Sequence, residues 1–562
     1  MDTIDRAPVL THGSAGLHTG KNSAVQVEIS KWFADKGAES LAAEDVSREF
    51  PSDYQAFLRS RSILSRTLCP EWIGGSGAEW TPRTIFGASE TLAFGSFTHW
   101  LMWHVTSLSV LPVWMSGSSE LQAFYAAALR DGQLGSFGMS EKGAGADWRK
   151  TATTLTRSER GPVLDGAKHY VGNAQVSPII TTFAADGPAF SFVRVAHTSP
   201  GFRLVRNAVP EQMFVAEFEL DNCAVREADI IVSGGDAFFD AVNTINIGKV
   251  NLATAAIGLA GRALLETYRH TNGRSIFGVR TSDFGQNKEI LSEATLWIIA
   301  MRSFLAQCAE RMENAAASDR SFIVFNSVAK VFVTEMSESV IRSLTDVASA
   351  YSFESDSPLN AIRKFCAYLP RLEGTKYVNL MQMIKSAKAF VDSRGRSEGM
   401  DSGAVGAKYL LSHRGLGGLD AIDLGDWRSG LDAVAGLPNG AAFREFCLGF
   451  ADWIVSGAAP RGERAIEAIG ELYCVVVFGS EIAKVVSESE SAPLWDATYG
   501  LVCGEALRLL LRHRTVLDEL GFPARQLAAA LGESRVRYPY NDIEDILAAA
   551  VADNALVARR AW

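Results

Sequence analysis

The spacing of hydrophobic residues changes character along this 562-residue chain. Up to residue 131, apolar residues recur at the spacing of amphipathic helices, after a start rich in Gly, Ser and Thr. Over 132–235, short apolar runs alternate with turn signals, which is typical of strands. Helical spacing returns over 236–396 and, after a stretch containing glycine and serine, over 397–562.

This pattern predicts four parts of a mainly α fold with a central small β domain. They are an N-terminal helical domain at 1–131, a β-barrel or sandwich at 132–235, a helical bundle at 236–396 and a C-terminal helical extension at 397–562. A chain of this length is too long for a single core. The stretch at 395–406 is expected to be a linker.

The composition narrows the range of functions. A formal net charge of −10 argues against a nucleic-acid-binding surface as the main function. The seven cysteines are scattered without metal-finger spacing, so we expect reduced thiols in a cytoplasmic protein and no metal site. The N-terminus lacks the features of a signal peptide. The most apolar run, 91–114, contains two histidines and Pro112, which favours a buried helix over a membrane span.

A glycine-rich loop at 134–147 is the first candidate for chemistry. It starts as a small, apolar strand and continues from Ser140 to Asp147 in hydroxyl, carboxylate and glycine residues. Glycine lets a backbone approach a ligand closely, and the exposed N–H groups can bind it. The spacing matches neither a dinucleotide-binding fingerprint nor a P-loop. On form alone, a ligand-binding loop and an ordinary glycine-containing β-turn are both compatible with it.

Two segments favour the ligand-binding loop by resemblance. Ser140–Asp147 resembles the T-E-P-G-A-G-S-D segment of acyl-CoA dehydrogenases, and Asp165–Asn173 resembles their N-G-x-K-x-W-I-T-N segment. Over roughly residues 25–396, the chain therefore resembles this flavoprotein family, in a larger form with an appended C-terminal helical domain. The resemblance implies FAD as the cofactor and an α-β-α arrangement.

The catalytic base of that family matches Glu373, within Arg371–Thr375. Removing an α-proton beside a thioester carbonyl needs a carboxylate in a dry pocket, while a flavin takes the β-hydrogen as hydride. The resemblance thus implies α,β-dehydrogenation of an acyl thioester with Glu373 as base. The alternative is an acidic residue in the first turn of a helix, favoured there by the helix dipole.

The resemblance also implies a set of FAD contacts. Some residues of this chain match the family's strand and aromatic residue beside the flavin ring. An arginine and a phenylalanine match family residues that contact the FAD of a neighbouring subunit. The matching residues are Phe137, Met139, Ser140, Tyr170, Gly172, Arg274, Phe277, Gln286 and Thr375. The family's G-G-x-G-F segment appears as Ser349–Phe353 without its glycines, which predicts a restricted approach for the cofactor diphosphate.

Substrate contacts are expected from a second matched set. Its members are Trp100, Trp103, His104, Ala146, Lys249 and Gly374. The large rings predict a short or compact acyl group, because protein interiors leave no spare volume; the alternative is that they are bundle core. Ala146 and Lys249 stand where the family has Ser and Arg, so a carrier-protein arm is as compatible as CoA.

These matches imply the partners of the reaction. They are an acyl thioester of CoA or of an acyl-carrier protein, an electron-transfer flavoprotein or O₂ as electron acceptor, and further copies of the chain in a homodimer or homotetramer. Neither nucleic acid nor membrane is expected. Two alternatives stay open: a flavin-dependent oxidase or monooxygenase on the same fold, and a non-catalytic scaffold paralogue.

Overall fold

The computed structural model describes residues 23–553, except for 48, 75–76, 160, 210–213, 317–319, 394–405, 413–421, 423, 458–459, 461 and 487–491. The fold is mainly α with a small central sheet, which confirms the predicted fold class. The boundary expected at 396/397 lies outside the described residues, and so does the predicted linker apart from Gly406.

The N-terminal region is helical. Its helices are α1 Ala24–Lys36, α2 Ala38–Ser47, α3 Ser52–Ser60, α4 Ile63–Leu68, α5 Glu71–Gly74, α6 Pro82–Gly95, α7 Phe97–Ser116 and α8 Ser119–Arg130. The apolar run 91–114 is divided at Ser96, whose extended backbone separates α6 from α7. Helix α7 is buried over nearly all of its length. No described helix is long and apolar enough to cross a membrane.

A single sheet follows. Its strands are β1 Gly135–Gly138, β2 Thr154–Ser158, β3 Gly161–Gly172, β4 Ile179–Asp186, β5 Ala189–Val195, β6 Phe202–Asn207, β7 Val215–Ala224 and β8 Ile230–Gly234. The order is β6-β7-β3-β2-β4-β5-β8, and β1 pairs in parallel with β4, with Gly135 opposite Ile179. The amide of Asn173 donates to the carbonyls of Met102 (2.8 Å) and Gly135 (2.9 Å), which fastens β1 to α7.

The second helical region is built around one long helix. Its helices are α9 Gly235–Gly273, α10 Gly285–Glu313, α11 Ser321–Val328, α12 Thr334–Ala348, α13 Pro358–Cys366, α14 Lys376–Met383 and α15 Ala387–Asp392, and a hairpin of β9 Ser275–Ile276 and β10 Val279–Arg280 follows α9. Helix α9 has 39 residues and is therefore about 58 Å long. A π-helical turn at Ala329–Val333 joins α11 to α12.

The C-terminal extension continues the same packing. Its helices are α16 Trp427–Val434, α17 Pro438–Val455, α18 Glu463–Val486, α19 Ala492–Arg512, α20 Arg514–Glu519, α21 Ala524–Gly532 and α22 Tyr540–Asp553. Phe478 of α18 lies with its ring centroid 4.5 Å from that of Phe332 and 5.2 Å from that of Phe304. The extension and the second helical region therefore share one hydrophobic core.

Candidate active site

Glu373 lies in a tight turn just before α14. Its φ of 51° and the φ of 90° at Gly374 place two successive residues in the left-handed region, which is costly for a residue with a side chain. The turn directs the Glu373 side chain inward, where it is only 7% exposed. Thr375 is the residue preceding α14 and is exposed, so Glu373 is not in the first turn of the helix.

The Glu373 carboxylate meets a histidine from α7. His104 Nε2 lies 2.6 Å from Glu373 Oε1, and the imidazole stacks on Trp100 at 4.8 Å between ring centroids. Asn251 Nδ2 lies 3.5 Å from His104 Nδ1. An ionised carboxylate can only accept, so Nε2 donates its proton to the hydrogen bond with Glu373. Glu373 Oε2 is buried without a hydrogen-bond partner.

Two buried lysines flank this carboxylate. Lys249 donates to Asn246 Oδ1 and Gln382 Oε1, both at 2.8 Å, and Lys330 donates to the Pro370 carbonyl. Burial lowers the pKa of Lys249 to about 7 and that of Lys330 to about 8, against the attraction of Glu373. The site therefore holds two lysines that change charge near neutral pH.

A glycine leaves room for the carboxylate. A Cβ on Gly248 would lie 3.2 Å from Glu373 Oε2 and 2.5 Å from a methyl group of Leu108. A narrow, mainly apolar cavity lies beside this site, bordered by α7 and α9. Its lining includes Ser107, Leu111, Ile247 and Asn251, together with Leu410 from the segment after the bundle. Asn251 borders both the cavity and His104, so the cavity adjoins the His104–Glu373 pair.

Five predicted cofactor residues lie in the β domain. Phe137 and Met139 are buried, and Phe137 stacks on Phe192 at 5.8 Å. Tyr170, by contrast, is 63% exposed at a φ of 62°. It follows His169, whose carbonyl accepts from the Ser140 hydroxyl at 2.8 Å. Ser140 and Tyr170 thus border one open aromatic surface.

Gly172 and Ala146 have different surroundings. A Cβ on Gly172 would lie 2.7 Å from Val105, so glycine is required here for packing against α7. Ala146 is exposed in the glycine-rich loop. The loop itself is held by the buried pair of Glu141 and Lys168, whose Oε1 and Nζ are 2.8 Å apart.

Three further predicted cofactor residues lie far from Glu373 of the same chain. Arg274, Phe277 and Gln286 are all exposed, and Phe277 is 97% exposed. Arg274 follows the end of α9, 25 residues after Lys249, which corresponds to about 37 Å along the helix. The segment Ser349–Phe353 is a 3₁₀ turn beside this end of α9, where Tyr351 stacks on His270 at 4.4 Å.

The predicted substrate residues are only partly brought together. His104, Lys249 and Gly374 surround or adjoin Glu373, and Trp100 reaches the site through its stack on His104. Trp103 instead donates its indole N–H to Thr67 of α4 at 3.0 Å and is wholly buried. Its placement fits the alternative of bundle core. Substrate binding by this set stays a prediction.

Three residues of the site carry no sequence motif. Gly248 and Asn251 lie close to Lys249 on α9, but nothing in their spacing marks them. Lys330 does have a signal, because it is the only charged residue in the apolar run 321–333. A lone lysine in such a run is costly to bury unless it is paired, and this could have been noticed.

Comparison with known proteins gives a consistent result. A family model described as "Acyl-CoA dehydrogenase, C-terminal domain" matches residues 238–388. An acyl-CoA dehydrogenase of Bacillus subtilis is 23% identical over 383 residues, which are 66% of this chain and 98% of that protein.

Two solved structures extend the comparison of the fold. The acyl-CoA dehydrogenase from Bacillus anthracis, complexed with FAD, has a TM-score of 0.68 at 16% identity and covers 99% of this chain and 98% of its own. The prolyl acyl carrier protein oxidase AnaB has a TM-score of 0.57 at 19% identity and covers 65% of this chain and 99% of its own. The first of these shares the fold of the C-terminal extension as well.

Proposed function

Since residues 238–388 belong to the acyl-CoA dehydrogenase C-terminal domain family, and two thirds of the chain is related to acyl-CoA dehydrogenases, we propose that this flavin oxidoreductase α,β-dehydrogenates an acyl thioester. The observation that carries the proposal is the bare, buried oxygen Oε2 of Glu373. A carboxylate oxygen with no donor in a dry pocket is free to take a proton.

In this proposal Glu373 removes the α-proton of the bound thioester. His104 donates to the other carboxylate oxygen and so fixes the direction of Oε2. The left-handed turn at Glu373 and Gly374 sets the approach of the side chain, and Gly248 leaves its path open. After the transfer, the proton resides on Glu373 in a pocket from which water is excluded.

FAD fits the residues on the β domain. Tyr170 offers an exposed aromatic face beside Ser140, which suits a flat ring system. Arginine and aromatic side chains at Arg274 and Phe277 suit a diphosphate and an adenine, on a surface remote from this chain's own Glu373. When bound, FAD supplies the hydride acceptor for the β-hydrogen. The distant surface supports a homodimer or homotetramer in which a second copy shares the cofactor.

The narrow cavity beside Asn251 supports a compact acyl group. Its walls are large apolar side chains from several helices, including Trp80, Phe86 and Met312. Ala146 and Lys249 are compatible with a thioester of a carrier protein as well as of CoA. The likeness to an acyl carrier protein oxidase agrees with the carrier protein. The same likeness is the reason to keep an oxidase as the second candidate.

Anaerobic titration of the FAD-loaded protein with thioesters of increasing acyl length tests the proposal. We expect short acyl groups to bleach the oxidised flavin absorbance, and Glu373→Gln to bind FAD while bleaching at least about 10²-fold more slowly. Glu310→Gln, on the exposed face of α10, is the matched control and should bleach normally.

Three outcomes would change the proposal. Normal bleaching in Glu373→Gln would remove the base, and a colourless protein that cannot be loaded with FAD would favour the scaffold. Rapid reoxidation of the reduced enzyme by air would favour the oxidase over electron transfer to a flavoprotein.

A further inference from the structure

The turn that carries Glu373 is tied to the C-terminal extension by an ion-pair cluster. Lys376, the first residue of α14, pairs with Glu471 of α18 and with Glu335 of α12, the latter at 2.8 Å. Glu471 is 5% exposed and is also contacted by His513 Nε2 at 2.5 Å and Arg512 at 3.4 Å. One buried carboxylate of α18 thus joins the last residue of α19 and the residue before α20 to Lys376, three positions after Glu373.

The protonation state of Glu471 agrees with this role. Burial alone would raise its pKa, but the hydrogen bond from His513 and the charges of Lys376 and Arg512 outweigh burial and lower the pKa to about 2. Glu471 is therefore an anion under all ordinary conditions. A buried anion that holds two cationic partners, here Lys376 and Arg512, has a rigid position, since losing either partner leaves charge unpaired.

The surrounding packing makes the link stiff. A Cβ on Gly470 would lie 3.0 Å from Leu380, so α18 and α14 approach closely just beside the cluster. The Tyr473 hydroxyl, three residues after Gly470, lies 3.0 Å from Ser386 Oγ, a contact beyond α14 that does not involve the cluster. The left-handed conformation of Glu373 needs such support, because a strained backbone persists only where its surroundings fix it.

We propose that Glu471 is a positioning residue, through which the C-terminal extension holds the Glu373 turn in the geometry needed for proton abstraction. The inference rests on the proposed function for its effect on rate. It gives the extension a task in the reaction of the same chain. Catalysis is sensitive to such support, because a misplacement of about 1 Å costs on the order of 10²-fold in rate.

Three full-length, FAD-loaded variants test this role. Glu471→Gln removes the anion, and Lys376→Met removes the link while leaving Glu471 with His513 and Arg512. Tyr473→Phe is the matched control, since it removes a hydrogen bond between α18 and the segment after α14 but leaves the cluster intact. The measurements are kcat and KM for flavin reduction, exchange of the substrate α-proton with D₂O, and amide hydrogen exchange of residues 369–383.

In Glu471→Gln and Lys376→Met we expect kcat and α-proton exchange to fall by roughly 10- to 100-fold, with KM changed less than about threefold. Amide hydrogen exchange over 369–383 should become faster. Tyr473→Phe should keep kcat. If kcat and the protection of 369–383 match the wild type in Lys376→Met, the inference is wrong. If none of the thioesters bleaches the flavin of the wild type, the proposed function is overturned instead. Unchanged amide exchange in Lys376→Met would then still overturn the positioning role.

Discussion

Two buried carboxylates of this chain, Glu141 and Glu373, each interact with a buried lysine and yet differ in their hydrogen bonds. Glu141 accepts five, and its donors are Lys168 Nζ, the Thr151 hydroxyl, the Ala152 N–H, and the N–H and hydroxyl of Thr153. Among the described residues, Glu373 accepts a hydrogen bond from His104 only, and its second oxygen is bare. Burial is thus common to both sites, and the number of donors separates them.

The pKa of Glu141 shows what the donors do. Burial would raise it, but Lys168 and the hydrogen bonds from Thr151 and Ala152 lower it to about 2. A carboxylate stabilised in this way is too weak a base to remove a carbon-bound proton. The Glu141–Lys168 pair instead holds the glycine-rich loop in place.

The comparison is tested most severely at Lys168. We expect Lys168→Met to lower the free energy of unfolding by about 3–5 kcal/mol, because it leaves the Glu141 carboxylate buried and unpaired. Urea unfolding at neutral pH measures this. Lys142→Met, in the same loop but with a 66% exposed side chain, should change stability far less. An unfolding free energy that Lys168→Met leaves unchanged would contradict the structural role of the Glu141–Lys168 pair.

Replacing His104 removes a hydrogen-bond donor from Glu373 and so increases the difference between the Glu373 and Glu141 sites. We expect His104→Leu to lower kcat by roughly 10- to 100-fold, since a hydrogen bond to a charged group is worth about 1.5–3 kcal/mol and this one fixes the direction of Oε2. Steady-state kinetics at saturating substrate measures this.

His99→Leu is the control for that experiment. His99 is buried on the same helix, but it contacts Ser96 and Glu44 and not the site. Its removal should leave kcat unchanged. An unchanged kcat in His104→Leu would show that the imidazole does not support the base.

The sequence predicted the order of helices and strands well, because helical and strand periodicities are local properties of the chain. It also predicted Glu373, His104 and Lys249 as site residues, which the structure places together. It did not reveal Gly248, since the need for a glycine arises from how α9 faces the turn before α14. That relation is set by packing between elements distant in sequence.

The role of Glu141 was missed for the same reason. Within the loop it stands at a motif position, and only the fold shows that Lys168 and the segment 151–153 converge on it. Likewise, Tyr170 and Trp103 are both large aromatic residues in family positions, yet one is exposed beside Ser140 and the other is wholly buried. Residue type and spacing do not determine which side of an element faces a ligand.

Gly248→Ala sharpens the comparison by crowding the bare oxygen of Glu373 together with a methyl group of Leu108. The new Cβ would lie 3.2 Å from Glu373 Oε2, so we expect the carboxylate to shift and kcat to fall about tenfold, or about 1.4 kcal/mol in the barrier. Gly261→Ala, on the same helix, has its nearest neighbour at 3.5 Å and should leave kcat unchanged. Steady-state kinetics at saturating substrate distinguishes the two, and equal rates in both variants would contradict the tight fit.

The smallest effect is expected from the lysine beside Glu373. The pKa of Lys249 is about 7 in the fold, against 10.5 when unperturbed, because burial disfavours its charge. Between these values the unfolded chain binds more protons than the folded one, so this residue makes stability rise with pH. Above about pH 9, the buried cysteines oppose the trend, since their thiols lose protons only after unfolding.

The effect of Lys249 on the pH dependence of stability is therefore best measured between pH 7 and 9. Over this range we expect Lys249→Met to lower the slope of unfolding free energy against pH by up to about 1.4 kcal/mol per unit, as measured by urea unfolding. Lys388→Met removes a lysine whose side chain is 70% exposed and should keep the slope. A slope unchanged in Lys249→Met would mean that Glu373 holds this lysine fully charged. The two buried carboxylates would then differ in their hydrogen bonds but not in the charge of the lysine each one faces.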